Sequence, residues 1–225
     1  MAPKVDKKHK KERRFQILTA AFACFDKLGY QQTTMRDICK EADLSTGAVY
    51  SYFPSKKDIV YALAEYGEHK HREIIGFEQE NPHPLEEVGE EVAQVFIQLD
   101  PDSSALEKIK GIMVGYLSMF DNEDILPSLR VDMHLKAAAL QDEDIFGTVQ
   151  ESLMNRLQSM EELLVEAKSE KIINDDLDVK KTAQILLSLL AGSFTLKLFH
   201  PSMSMKSYSQ EVDTWLETVL QNTKD

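Results

Sequence analysis

Residues 33 to 56 read TTMRDICKEADLSTGAVYSYFPSK, two short helical patterns joined by a tight turn. In the first pattern Ile38 and Cys39 share an inward face with Ala42 one turn on, while Arg36, Lys40 and Glu41 stay polar. Thr33 or Thr34 caps it, because a threonine oxygen accepts from the unpaired N–H groups of a first helical turn. The second pattern starts at Ser45, another good cap, and sets Val49 and Phe53 on one face. Leu44 lies in the turn and is expected to pack inward, holding the two helices at an angle. Pro54 stops the second helix, since the residue before a proline avoids the α region, and Ser55 supplies the cap of the next.

A helix-turn-helix of this size has a physical use. The major groove of DNA admits one α-helix, and the N-terminal residues of that helix reach the base edges. Here those residues are Thr46, Gly47 and Ala48, all small enough for close backbone approach. Tyr50, Ser51 and Tyr52 follow with hydroxyls suited to phosphate oxygens, and Lys56 adds a positive charge.

The full string resembles the DNA-binding segment of the TetR family of transcriptional regulators. That family carries a glycine-aromatic pair, a threonine-initiated helix, and then S-x-G-x-[LV]-Y-x-[HY]-F-x-[ST]-K. This chain has Gly29-Tyr30, Thr34, and the run Ser45 to Lys56 in the same order, and the close match covers about residues 13 to 64. Asp43 departs from the family's usual turn glycine; aspartate tolerates a left-handed backbone better than most residues. The resemblance implies that Thr46, Gly47 and Ala48 face bases and that Arg36 reaches a base or a phosphate. It gives Thr34, Tyr50, Ser51, Tyr52 and Lys56 to the DNA backbone.

The net charge of −12 looks wrong for a nucleic-acid binder until it is divided. Residues 1 to 60 carry +5 and the remainder −17, so the positive charge lies where such a face needs it. The composition, 43% apolar and 28% charged, is that of an ordinary globular protein. Its 225 residues are ample for a sizeable core. Two cysteines, Cys24 and Cys39, sit at apolar helix positions, so neither a disulfide framework nor a metal site is expected. The charged N-terminus MAPKVDKKHKKERR has no apolar core behind it and does not read as a signal peptide. The apolar run Ile185 to Leu196 is short of the roughly 20 residues a bilayer requires. A cytoplasmic protein without a membrane partner is expected.

The periodicity is helical throughout, and the predicted fold class is all-α. Residues 1 to 11 are lysine-rich and read as a solvated tail or a basic arm. Phe15, Leu18, Phe22 and Phe25 mark an amphipathic helix over 12 to 28, ending at Gly29 as an αL cap. The expected core of a three-helix domain over residues 1–54 is Phe22, Phe25, Ile38, Leu44, Val49 and Phe53. A linking helix at 55–76 opens a larger helical regulatory domain, 55–225. Asn81-Pro82-His83-Pro84 is the clearest break, followed by helices at about 85–99, 103–121, 125–140, 144–171, 178–199 and 207–222.

Two of these helices suggest a second copy of the chain. Phe146, Val149, Leu153, Leu157, Met160, Leu164 and Ala167 approach a heptad seam, with Arg156 outside it. The next helix is apolar on nearly every side, and such a helix must be buried all round. Gly192 and Ser193 permit close helix approach. In the family the corresponding helices pack across a two-fold axis, which implies a homodimer through about residues 145–199 with Leu153, Leu157, Leu164, Leu190 and Phe194 at the interface.

No catalytic motif, phosphate loop or dinucleotide fingerprint is present, so no enzyme and no cofactor is expected. Met113, Tyr116, Leu117 and Phe120 form one stripe, beside a notch at Gly111 and Gly115, and Met133 and His134 follow on the next helix. Plain core packing explains such a stripe, with methionine as gap filler. An adaptable ligand cavity explains it equally, and family members often bind a small molecule here. The expected protein is a homodimeric regulator that binds near-palindromic double-stranded DNA, a repressor released by a small apolar effector. The alternatives are a related factor controlled by a protein partner, and a helical carrier or enzyme without specific DNA binding.

Overall fold

The computed structural model describes residues 4–74, 102–121 and 126–221. Among them the chain is helical: α1 Lys4–Gln32, α2 Met35–Glu41, α3 Thr46–Tyr52, α4 Lys56–Ile74, α5 Ala105–Met119, α6 Leu126–Ala139, α7 Glu143–Ser169, α8 Val179–Phe199 and α9 Met205–Gln221. The all-α fold and the order of helices follow the sequence reading. Its helix at 85–99 and the break at Asn81-Pro82-His83-Pro84 lie outside the described residues. At the N-terminus the backbone is already helical from Lys4, where the sequence reading has a tail or arm. Lysine, arginine and glutamate are good helix formers, so the amphipathic helix extends backward through them.

The described residues fall into two compact units. The first comprises residues 4–71 and 127–152, the second 102–121 and 153–221. The sequence reading sets its domain boundary at 54/55; in the structure α4 buries Ile59, Val60 and Ala62 in the core of the first unit. That core also holds Ile17, Phe25, Ile38, Val49 and Phe53, with Phe22 and Leu44 packed half-buried against it. Each fully buried phenylalanine contributes about 1.5–3 kcal/mol relative to exposure. Val131, Ala138, Ala139 and Ile145, from α6 and the start of α7, complete the same core.

Local chemistry fixes the turns. Thr34 is the cap of α2, its hydroxyl accepting from Asp37 N at 3.2 Å while the Asp37 carboxylate accepts from Thr34 N at 2.8 Å. Thr33 is buried instead, and its hydroxyl donates back to Gly29 O at 2.8 Å. At the other end of α2, Asp43 N donates to Lys40 O and Leu44 N to Cys39 O, the paired bonds of a Schellman stop. Asp43 takes the left-handed residue of that stop at φ 51. Gly29 has φ 75 and ψ 159, a backbone region open to glycine alone, rather than the αL cap expected from sequence.

In the second unit α5 packs against α9 and α8. Ile109, Ile112, Met113 and Leu117 of α5 are fully buried, with Leu164 of α7, Leu186 of α8 and Leu216 of α9 also in the interior. Lys197, itself 8% exposed, donates to Asp121 Oδ1 at 2.9 Å, Pro201 O at 3.0 Å and Met203 O at 2.9 Å. All three N–H bonds of that ammonium are thereby used. Asp121 also accepts from the backbone N–H groups of Met205 and Lys206, pinning the start of α9.

The faces of α7 and α8 differ from the sequence reading. The inner row of α7 runs Ile145, Val149, Ser152, Arg156, Met160, Leu163, Ala167, buried or half-buried throughout. Phe146 and Leu153, expected on the seam, are 48% and 47% exposed. The expectation is thus rotated by about one residue, and Arg156 lies on the inside. In α8, Ile185, Leu196 and Phe199 are exposed, so the helix is not buried on all sides within the chain. By length and composition alone this 21-residue helix could cross a membrane. Buried Thr182, Ser193 and Lys197 tie it into the protein instead.

Candidate nucleic-acid interface

α3 owes its position to an inward face and a capped start. Val49 and Phe53 are buried at 0% and 1% exposure, and Ser45 Oγ accepts from Ala48 N at 3.2 Å. A cap of this kind is worth about 1 kcal/mol. The Arg14 guanidinium of α1 lies 4.6 Å from the centre of the Phe53 ring, a cation–π contact that closes the back of the motif. The face left outward is the one sequence predicts: Thr46, Gly47, Tyr50 and Ser51 are exposed and Ala48 is half-buried. A Cβ built on Gly47 would meet no atom of the chain within 4 Å. Internal packing therefore gives no reason for glycine there.

The residues expected at the DNA backbone divide. Arg36 of α2 is exposed, and so is Lys40 one turn on. Thr34 is exposed, yet its hydroxyl is committed to the α2 cap, donating to Asp37 Oδ2 at 2.6 Å. The hydrogen bonds from the Thr34 hydroxyl and Thr34 N–H hold the Asp37 carboxyl below its ordinary pKa. Ser51 Oγ donates to Ala48 O at 2.7 Å, and Tyr52 is half-buried against the core.

Lys56 departs most from the sequence reading, which gives it to the phosphate backbone. Its ammonium turns inward, donating to Thr33 O at 2.6 Å and to Tyr30 O, and lies 4.1 Å from the Tyr30 ring centre. Burial pulls its pKa below the usual lysine value. The residue ties the start of α4 to the corner between α1 and α2, and Tyr30 beneath it meets Phe25 edge-on at 5.5 Å. Its neighbour Lys57 was not singled out by sequence; it pairs with Asp142 at 2.9 Å and Asp144 at 2.6 Å, across 85 or more residues of chain. No periodicity could have found that pairing.

The family model for bacterial regulatory proteins of the tetR family matches residues 17–63, the segment that builds this helix-turn-helix. Residues 17–63 are a TetR-family DNA-binding segment. Among curated TetR-type relatives the chain is 42% identical over 67 residues to the uncharacterised HTH-type regulator YfiR of Bacillus subtilis, covering 30% of this chain and 33% of that one. The chain thus spans about a third of that relative's length. It is 21% identical over 188 residues to the fatty acid metabolism regulator protein of B. subtilis, covering 84% of each. The solved structure of FadR from B. subtilis in complex with stearoyl-CoA shares the fold, with a TM-score of 0.70 and 20% identity over 92% of this chain and 99% of that one.

The residues expected to line a ligand pocket fall in both units. Met113, Leu117 and Phe120 are buried in the second unit, and Phe120 stands edge-on to Phe194 at 6.2 Å. Tyr116 is half-buried. Met133 and His134 belong to the first unit, where the His134 ring lies against Gly29. Of the expected interface residues Leu153 is exposed and Leu157 and Leu190 are half-buried. Leu164 and Phe194 are core residues of their own chain, and Ser193 faces inward with its hydroxyl on Leu189 O.

Proposed function

We propose that this chain is a homodimeric, sequence-specific DNA-binding transcriptional regulator of the TetR type, a repressor released from a near-palindromic operator by a small, mainly apolar ligand. The observation that carries the DNA-binding part is the outward face of α3. It is capped, short-chained, free of any packing demand at Gly47, and set in a segment of positive charge balance. Thr46, Gly47 and Ala48 read base edges, while Arg36, Tyr50 and Ser51 hold the phosphates.

Dimerisation is supported by a row on α8. Ile185, Leu189, Gly192, Leu196 and Phe199 recur at steps of four and three residues, with Ile185, Leu196 and Phe199 exposed. A Cβ at Gly192 would meet nothing within the chain. Exposed Leu153, Met154 and Val165 of α7 add apolar surface. A two-fold dimer of DNA-binding chains reads two half-sites about one helical turn, or a multiple of it, apart. An apolar effector is in keeping with the stearoyl-CoA bound by FadR, which shares the fold.

Selection of binding sites from random double-stranded DNA tests the reading. A near-palindromic site bound by a dimer, with affinity falling steeply as salt rises, is expected. Recovery of no preferred sequence would leave a helical carrier as the better reading. The full burial of Met113 and Leu117 favours one variant, a repressor controlled by a protein partner. Thermal shift separates the two, since a ligand that binds only the folded state raises its stability.

A further inference from the structure

The inner row of α7 is apolar toward its C-terminal end, at Met160, Leu163 and Ala167, yet Arg156 occupies the turn before them. Arg156 is half-buried. Its Nε is shielded from solvent without a hydrogen-bond partner, and among the described residues it is the single side-chain nitrogen or oxygen in that condition. Lys197 shows how this protein treats an interior cation that serves structure alone: it supplies an acceptor for every N–H. The shielded Nε of Arg156 has been given none.

A guanidinium carries five donors in a planar fork, and an unpaired buried donor lowers stability. Packing at this position would be served better by leucine or methionine. The fork matches two oxygens of a carboxylate or a phosphate, and the bidentate pair is stronger in a shielded setting than in water. Residues 61 to 225 carry −17, so a free inorganic anion gains nothing from the surrounding field. An anion that brings its own apolar body gains from burial instead: Met160 and Leu163, one and two turns beyond on the same face, are 4% and 2% exposed, so that body would have to enter the packing they now make.

We propose that Arg156 is the anion-recognition group of the effector site, and that the effector is an amphiphile with an apolar chain and a carboxylate or phosphate head. The proposal rests on the ligand-responsive reading above and sharpens its chemical class. The head is held by Arg156, and the chain lies along the apolar part of α7.

The test uses the full chain and three probes of equal length: decanoate, decyl phosphate and decanol, titrated by calorimetry. One or both anions are expected to bind about 10- to 100-fold tighter than decanol, the gain of a charge-assisted pair. The tighter of the two identifies the head group. Arg156→Gln and Arg156→Met should bring the three probes to within about threefold of one another, and Arg156→Lys should keep part of the preference. Without ligand, Arg156→Met should melt at an equal or higher temperature, since it removes an unpaired donor. Wild-type protein that binds decanol as tightly as the anions, or binds none of the three, overturns the proposal. So does an Arg156→Met variant that keeps the preference. Operator release is read separately. Anion binding through Arg156 without release would overturn the effector role assigned here and the ligand-release reading, leaving only an anion site. Release by decanol and the anions alike would retain that reading and overturn the role of Arg156.

Discussion

Arg130 grips Asp26 with two bonds, Nε to Oδ1 at 2.6 Å and Nη2 to Oδ2 at 3.0 Å, joining α6 to α1 within the first unit. The pair closes a chain separation of 104 residues. Its bidentate geometry favours a measurable contribution, while the 43% exposure of the arginine side chain screens it. A double-mutant cycle of Arg130→Met and Asp26→Asn, read by chemical denaturation, should give a coupling of about 0.5–1 kcal/mol that shrinks with added salt. A coupling of zero at low salt would mean that α6 is held by Val131 and its apolar neighbours alone.

Gly29 faces two separate demands. Its backbone at φ 75 excludes side chains, and a Cβ there would stand 3.0 Å from His134 Nδ1. Gly29→Ala should destabilise the protein by about 1–3 kcal/mol. Adding His134→Ala should recover only part of the loss, because the contact is relieved and the backbone strain is not. Complete recovery in the double variant would assign the whole effect to the contact.

Gly47 and Lys56 should separate recognition from stability. Gly47→Ala places a methyl in open space on a helix, so stability should rise by about 0.5–1 kcal/mol while operator binding weakens. Lys56→Met removes the donor to Thr33 O and Tyr30 O and should cost about 1–3 kcal/mol of stability. A Lys56→Met protein of unchanged melting temperature but reduced salt slope on DNA would return Lys56 to the phosphate backbone.

The dimer prediction falls on exposed residues of α8. Ile185→Glu with Leu196→Glu should yield a folded monomer in sedimentation, since both side chains are more than half exposed in the single chain. Phe194→Glu should unfold the second unit instead, as that ring is buried against Phe120. A dimer that survives the first pair of changes would place the interface elsewhere.

Asp121 gives a pH dependence of defined sign. Burial pushes its pKa up, but hydrogen bonds from Met205 N–H, the Lys197 ammonium and Lys206 N–H outweigh burial and leave it below the ordinary 3.8. A carboxylate depressed on folding contributes stability that is fully present above the unfolded value and is lost as pH falls through the folded one. Asp121→Asn should therefore lower stability by about 1–3 kcal/mol at neutral pH. The gap between variant and wild type should stay level down to about pH 5 and close below about pH 4. A gap that persists undiminished at pH 3 would assign the loss to packing rather than charge.

The sequence by itself determined what is local. Caps at Thr34, Ser45 and Ser55, the stop at Asp43 and the inward spacing of Val49 and Phe53 depend on neighbours within a few residues, so the helix-turn-helix and its outward Thr46-Gly47 face were legible. Tertiary structure alone decided which of two adjacent apolar rows each long helix buries. In α7 the rows through Ile145 and Phe146 differ by about 100° of rotation and are nearly equal in hydrophobicity. Contacts with segments distant in sequence chose the first, which exposed Phe146 and Leu153 and drew Arg156 inside. The inward turn of Lys56 has the same origin: its carbonyl partners lie 23 and 26 residues away, at a corner that exists only once α1, α2 and α4 have packed. Periodicity reports that a face is apolar, and only the surroundings of that face decide what covers it.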